Sequence, residues 1–121
     1  MPDPDSNPTH ITTTETVLRF YVFLGQYIDR CLDEEHRRAL PEPEFQKHLS
    51  ATHDQVAELL ATNRVVKGKT EAEFQRVTGL CQDYLTHPGS QEHQRTLKAE
   101  RETLRIKMLA LSDLLAVFRS V

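Results

Sequence analysis

The chain has 121 residues, of which 38% are hydrophobic and 27% are charged, and its net charge is −3. This length suits one domain with a core, but it leaves little chain for an elaborate active site in addition. The net charge excludes the large basic excess that is typical of a dedicated nucleic-acid binder. No apolar stretch approaches the length of a membrane span, so we expect no membrane association.

Residues 1–11 contain three prolines and two aspartates and show no apolar periodicity. This composition predicts a disordered N-terminal tail, followed by a single helical domain over residues 12–121. The same segment lacks the basic start and the apolar run of a signal peptide. Because the chain also has only two cysteines, Cys31 and Cys81, we expect reduced thiols and a cytoplasmic protein.

The first predicted helix begins near Thr12, which forms a capping box with Glu15, and it ends near Arg38. Apolar side chains cover more than half of its circumference. They form one broad face, with Leu18 and Val22 outside it. A helix in so small a chain has few neighbours to cover two apolar faces, so a partner surface is expected here.

Two shorter helices are predicted in the middle of the chain. The second helix opens at Pro41-Glu-Pro43-Glu and fades near Asn63. Residues 64–69 are predicted to form a loop with Gly68 as its hinge. The third helix is predicted to begin with a capping box at Thr70.

The fourth predicted helix spans about 91–119 and follows a turn at 87–90, whose last residue, Ser90, caps it. Apolar residues separated by seven, four, three, four and three positions form a heptad seam: Leu97, Leu104, Met108, Leu111, Leu115 and Phe118. Leu109 and Val117 lie outside that seam. The predicted fold is therefore all-α, a four-helix bundle in which the long first and fourth helices pack antiparallel and the shorter pair flanks them.

No cluster of residues in the sequence predicts catalysis, a cofactor or a metal ion. His48 and His53 are five apart on one helix and so diverge by about 140°, whereas metal ligands on a helix are three or four apart. The histidines are therefore interpreted as solvated. Cys31 and Cys81 fall on apolar stripes, where a thiol acts as a small core residue. We expect a protein that is not an enzyme and holds no cofactor or metal.

The apolar surplus predicts a non-enzymatic protein-interaction module: a small cytoplasmic adaptor, chaperone, inhibitor or assembly subunit. The predicted interface residues are Leu18, Val22, Leu109 and Val117. Homodimerisation is the simplest use of such a surface. The alternative for these residues is a closed bundle that consumes every apolar side chain in its core.

A second functional hypothesis is a small helical subunit of a larger nucleoprotein complex. Two local basic clusters support it, and the predicted nucleic-acid contacts are Arg64, Lys67, Lys69, Arg101 and Arg105. Acidic residues are interleaved with both clusters, so a protein partner is the preferred hypothesis.

Overall fold

The computed structural model describes residues 6–33, 42–87 and 89–120, and these ranges contain helices and no strand. The helices are α1 (Ser6–Leu32), α2 (Glu42–Leu59), α3 (Arg64–Thr86) and α4 (Gln91–Arg119). The all-α prediction is confirmed. None of these helices combines the length and the apolar character that a membrane span requires. The first helix ends at Leu32, earlier than the predicted end near Arg38, and the described Asp33 is not helical. Arg38 itself lies outside the described residues, as do residues 1–5 of the predicted tail.

The long helices α1 and α4 run antiparallel and form the most extensive helix–helix contact of the described chain. Near the end of α1, Asp29 accepts two hydrogen bonds from the Arg101 guanidinium, at 2.8 and 3.1 Å. Near its start, Glu15 pairs with Arg119 at the end of α4. These two ion pairs fix the direction of α4 along α1 and confirm the predicted pairing.

The first helix lies at the centre of the bundle, because it contacts each of the other described helices. Of the sixteen buried apolar side chains in the described ranges, α1 supplies seven. They are Val17, Phe20, Tyr21, Leu24, Tyr27, Ile28 and Cys31. Helical spacing places these side chains on one broad face, and burial of that face is the largest apolar contribution to the fold.

Both cysteines belong to the core, as their positions on apolar stripes predicted. Cys31 on α1 and Cys81 on α3 are buried and not joined by a disulfide. A hydrogen bond from Cys31 and burial raise the pKa of the Cys81 thiol. A thiol in such surroundings keeps its proton and packs as a small apolar group.

The first helix starts earlier than predicted, at Ser6 instead of Thr12. The predicted tail over residues 1–11 overlaps α1 at residues 6–11. Pro8 lies in the first turn, where a helix has free N–H groups and a missing one breaks no hydrogen bond.

The loop predicted over residues 64–69 is wrong, since α3 begins at Arg64. The Asn63 side chain caps the helix by accepting a hydrogen bond from the Val66 N–H at 3.2 Å. Thr70, the predicted cap, is buried inside the helix, and its hydroxyl donates to the Val66 carbonyl at 2.7 Å. An exposed glycine such as Gly68 costs a helix only about 1 kcal/mol, which one side-chain cap can offset.

The turn between α3 and α4 agrees with its prediction at the described residues. Gly89 has a φ of +85°, a conformation that glycine adopts without strain. Ser90 caps α4 by accepting a hydrogen bond from the His93 N–H at 3.3 Å. The predicted range 91–119 of the fourth helix is confirmed.

Gly25 permits the close approach of α4 to α1. A Cβ atom built at Gly25 would lie 3.0 Å from Nη1 and 3.1 Å from Cζ of Arg101. Nη1 is buried there and makes no hydrogen bond within the described chain. Because Asp29 holds the same guanidinium, Arg101 cannot move away from a larger side chain without losing its ion pair.

We expect Gly25→Ala to destabilise the fold relative to a matched glycine replacement, Gly79→Ala. Gly79 is exposed within α3, and a Cβ there meets no atom within 4 Å. Alanine at 79 should raise the free energy of unfolding by about 0.5–1 kcal/mol through helix propensity. The free energy of unfolding of Gly25→Ala should be about 1–2 kcal/mol lower than that of Gly79→Ala, because the new methyl group displaces Arg101. Urea unfolding measures both, and equal stabilisation would show that Arg101 moves freely.

Candidate interaction surface

The second half of α4 is apolar on the side that faces away from the core. Four large side chains are exposed there, with exposed fractions of 57%, 54%, 43% and 56%: Ile106, Leu109, Leu114 and Val117. Ile106 and Val117 are eleven residues apart, which is three helical turns, and they lie opposite the buried Leu104 and Leu115. We call Ile106, Leu109, Ala110, Leu114 and Val117 the outer face of α4.

The packing of the other helices explains why the outer face stays uncovered. The helices that pack on α4 are α1 and α3, while α2 packs on α1 and α3. The heptad seam therefore meets its partners on one side of α4 only. The apolar side chains beyond the seam have no neighbouring helix in the described chain.

Three of the four predicted interface residues are exposed, as the prediction required. Leu109 and Val117 lie on the outer face of α4, and Val22 on α1 is 41% exposed. Leu18 is only half-buried and is not among the residues of the core cluster. Ile106 and Leu114 are exposed apolar residues that the sequence prediction does not name, although they lie outside the seam as Leu109 and Val117 do.

A polar cluster joins α3 to α4 on the inner side of the bundle. Glu73, whose side chain is 5% exposed, accepts a hydrogen bond from Lys107 Nζ at 2.8 Å and pairs with Arg76. Arg76 also donates from Nε to Glu100 Oε1 at 3.2 Å. We call Glu73, Arg76, Glu100 and Lys107 the Glu73 cluster, in which two carboxyl groups meet two cations.

The two carboxyl groups of the Glu73 cluster differ in acidity. Burial raises the pKa of Glu100, and a hydrogen bond between its carboxyl and that of Glu73 raises it further. Burial alone would raise the pKa of Glu73 as well, but hydrogen bonds with Lys107, Glu100 and Arg76 lower it. A proton therefore resides on Glu100 in preference to Glu73. These groups hold one another across the helix contact, an arrangement that stabilises the register of α3 against α4.

The prediction that the histidines are solvated is wrong for His53. Its ring stacks on Phe74, with 4.1 Å between ring centroids and 19° between ring planes, and its Nε2 bonds to Glu71. This hydrogen bond lowers the pKa of Glu71. His53 thus connects α2 to α3 as a packed aromatic ring with a polar edge.

The histidines do not assemble a metal centre in the part of the chain that the structure describes. No group of three or more His, Cys, Asp or Glu side chains there could hold a metal ion. His87 and His93 stack with 4.4 Å between ring centroids across the turn from α3 to α4. His93 Nδ1 lies 2.6 Å from the hydroxyl of Ser90, so the side chain of His93 contacts the residue that caps α4.

The cations predicted to contact nucleic acid do not form one surface on α3. Lys67 and Lys69 are two residues apart and so diverge by about 200° around the helix. The charge of Lys67 acts on Glu71, on the side of α3 that α2 covers. Lys69 lies on the side of α4, and Arg64 is exposed in the first turn.

The two predicted cations of α4 are already paired with acids. Arg101 bonds to Asp29, and Arg105 donates from Nε to Glu102 at 3.0 Å. Their charges are therefore neutralised locally.

We expect Glu73→Gln to lower the free energy of unfolding by about 2 kcal/mol at neutral pH, because Lys107 and Arg76 lose a buried charged acceptor. The matched control is Glu102→Gln, which removes an exposed carboxylate paired with Arg105. That control should leave stability almost unchanged, because water screens exposed pairs. Chemical denaturation of the three proteins measures the difference. Equal stabilities of the two variants would contradict a buried role for Glu73.

We expect Glu100→Gln to gain stability relative to the unsubstituted chain as the pH rises. The raised pKa of Glu100 means that its protonated form favours folding, and this contribution is lost as the pH rises through that pKa. Glutamine does not titrate, so its advantage should grow between about pH 4 and pH 7.5. Glu73→Gln should show the opposite trend, because a lowered pKa stabilises the fold above the ordinary carboxyl pKa of 4.5. Unfolding free energies measured from acid pH, below 4.5, to neutral pH test both signs, because the contribution of Glu73 is lost on the acid side of that range.

No protein-family model, no curated protein and no solved structure matches this chain. Its function is therefore inferred from the side chains described above.

Proposed function

We propose that this chain is a non-enzymatic cytoplasmic protein-interaction module that binds its partner through the outer face of α4. The observation that carries the proposal is the exposure of Ile106, Leu109 and Val117 on the side of α4 opposite its buried seam. Contiguous exposed apolar side chains on a small protein are typical of interaction sites. A role as adaptor, chaperone, inhibitor or assembly subunit is compatible with such a face.

The dimensions of the outer face suit a helical partner. Its end residues, Ile106 and Val117, are separated by about 16 Å along the axis at 1.5 Å per residue. Side chains spaced at three, four and seven positions over three turns are the pattern by which one helix packs on another. Val22 on α1 is a further exposed apolar side chain of the described chain.

The charges beside Leu109 favour a second copy of this chain as the partner. Arg105 and Asp113 lie four residues before and after Leu109, on the same row of the helix. In an antiparallel pair of α4 helices that crosses at Leu109, each Arg105 would lie opposite Asp113 of the second copy and would share its guanidinium between Asp113 and its own Glu102. The two ion pairs would be equivalent, as a two-fold axis requires. Asp113 makes no ion pair within the described ranges, so it is available for this contact.

The cytoplasmic location rests on the cysteines. Cys31 and Cys81 are free thiols in the core and are joined to each other by a hydrogen bond. Reducing compartments preserve thiols in this state, whereas exported proteins more often join such neighbours as a disulfide.

We expect light scattering to give a mass of about twice the 13.9 kDa of one chain, with little dependence on salt because the contact is mainly apolar. The double variant Leu109→Glu with Val117→Glu should give a monomer with unchanged helicity. The matched control is Val65→Glu, at a side chain that is 68% exposed on α3 and away from the outer face. That variant should remain a dimer.

Charge reversal tests the arrangement of the two copies. Asp113→Arg should weaken the dimer by placing like charges together, and adding Arg105→Asp should restore it. A dimer that survives Leu109→Glu with Val117→Glu would exclude the outer face as the contact. A monomeric unsubstituted chain would exclude self-association, and the outer face would then need a different protein.

A further inference from the structure

A cleft of about 370 Å³ opens between α3 and α4, with α1 as its floor. Val17 and Tyr21 of α1 form the floor and are almost completely buried. Val66 of α3 and Leu111 and Leu114 of α4 form apolar walls. Ala110 and Leu114 belong both to the cleft and to the outer face of α4, whereas Ile106, Leu109 and Val117 belong to the outer face and do not line the cleft. We call this site the α1/α3/α4 cleft.

Small side chains leave this space unfilled. Thr13, Thr14, Thr70 and Ala110 line the cleft at positions where larger residues would close it. The cleft is open to solvent, so it is a surface groove and not an enclosed void. The volume also lies within the range of small-molecule sites, about 300–1,000 Å³.

The charged groups of the cleft are two lysines in different situations. Lys107 bonds through Nζ to Glu73, so its charge is already balanced. Lys69 is exposed at the rim and makes no ion pair with any described residue. A ligand therefore meets one uncompensated ammonium group beside an apolar groove.

The ligand chemistry that complements this arrangement is a single negative charge on a hydrocarbon chain. A carboxylate carries one charge and accepts hydrogen bonds from an ammonium group. A phosphate monoester carries about two charges and would leave part of its charge unpaired in the cleft. The phenol of Tyr21 adds no charge, because burial and the neighbouring Glu73 raise its pKa.

We propose that the α1/α3/α4 cleft binds a free fatty acid, with its hydrocarbon chain between α3 and α4 and its carboxylate on Nζ of Lys69. The walls Val66, Leu111 and Leu114 supply the apolar contact, and Lys69 selects the head group. This ligand site overlaps the proposed protein contact at Ala110 and Leu114, but its chemistry does not rest on self-association.

Isothermal titration calorimetry with three probes tests the proposal. Dodecanoate, below its micelle concentration, should bind one molecule per chain with a micromolar dissociation constant. Dodecyltrimethylammonium has the same chain with a positive head group and should bind at least ten-fold more weakly. Acetate, which has the carboxylate without the chain, should show no measurable binding. Equal binding of the first two probes would overturn the role of Lys69.

Two variants locate the bound probe. Lys69→Gln should weaken dodecanoate at least ten-fold, whereas Lys98→Gln, at an exposed lysine on α4 that does not line the cleft, should leave it unchanged. Ala110→Phe should fill the cleft and abolish binding without lowering the melting temperature, because cavity-filling changes do not weaken a fold when the space exists. Dodecanoate binding that survives both Lys69→Gln and Ala110→Phe would overturn the proposal.

The double variant Leu109→Glu with Val117→Glu separates this site from the outer face of α4. It should bind dodecanoate as the unsubstituted chain does, whatever its solution mass. Loss of binding in that variant would place the probe on the outer face and overturn the cleft as the site. Absence of any dodecanoate binding would overturn the ligand class and leave the proposed self-association untouched.

Discussion

Burial of the broad apolar face of α1 is the constraint on which the rest of the structure depends. Phe20, Leu24 and Ile28 are fully buried, and no single neighbouring helix can cover a face of that width. Three helices therefore surround α1, and α4 uses its heptad seam for the longest of the three contacts. Because the seam of α4 packs against α1 and α3, the apolar side chains of α4 outside the seam are left on the surface of the bundle. The exposure of the outer face of α4 therefore follows from the width of the apolar face of α1.

Polar side chains set the positions that apolar burial leaves undetermined. Apolar stripes slide past one another at little cost, whereas an ion pair with fixed geometry selects one register. Arg101 on Asp29 sets α4 against α1, and Lys107 on Glu73 sets α3 against α4. The second contact also immobilises one of the two ammonium groups of the α1/α3/α4 cleft. The difference between Lys107 and Lys69 therefore arises from the same interaction that aligns the helices.

The parts of the fold that were predictable from sequence are those determined by local spacing. The seam positions Leu97, Leu104 and Leu115 are buried, because heptad spacing places them on one side of a helix in any bundle. The loop prediction for residues 64–69 is wrong because a glycine flanked by lysines, as at Gly68, is typical of loops. The capping residue Asn63, which starts the helix, is nevertheless visible in the sequence. Among the candidate sites, the exposure of Leu109 and Val117 followed from the same spacing. The Asp29–Arg101 pair and the cleft could not be predicted, since they depend on how helices distant in sequence are aligned.

The antiparallel pairing of α1 with α4 has a consequence for how the chain folds as it is synthesised. The ion pairs Asp29–Arg101 and Glu15–Arg119 join residues 72 and 104 positions apart, so the first helix meets its main partner only after the last one is made. Closing so long a loop costs entropy and slows folding compared with contacts between neighbouring helices. During translation the broad apolar face of α1 lacks α4 and is exposed to other nascent chains and to chaperones. The bundle is therefore completed only after α4 has been synthesised, and the chain is most prone to aggregate before that step.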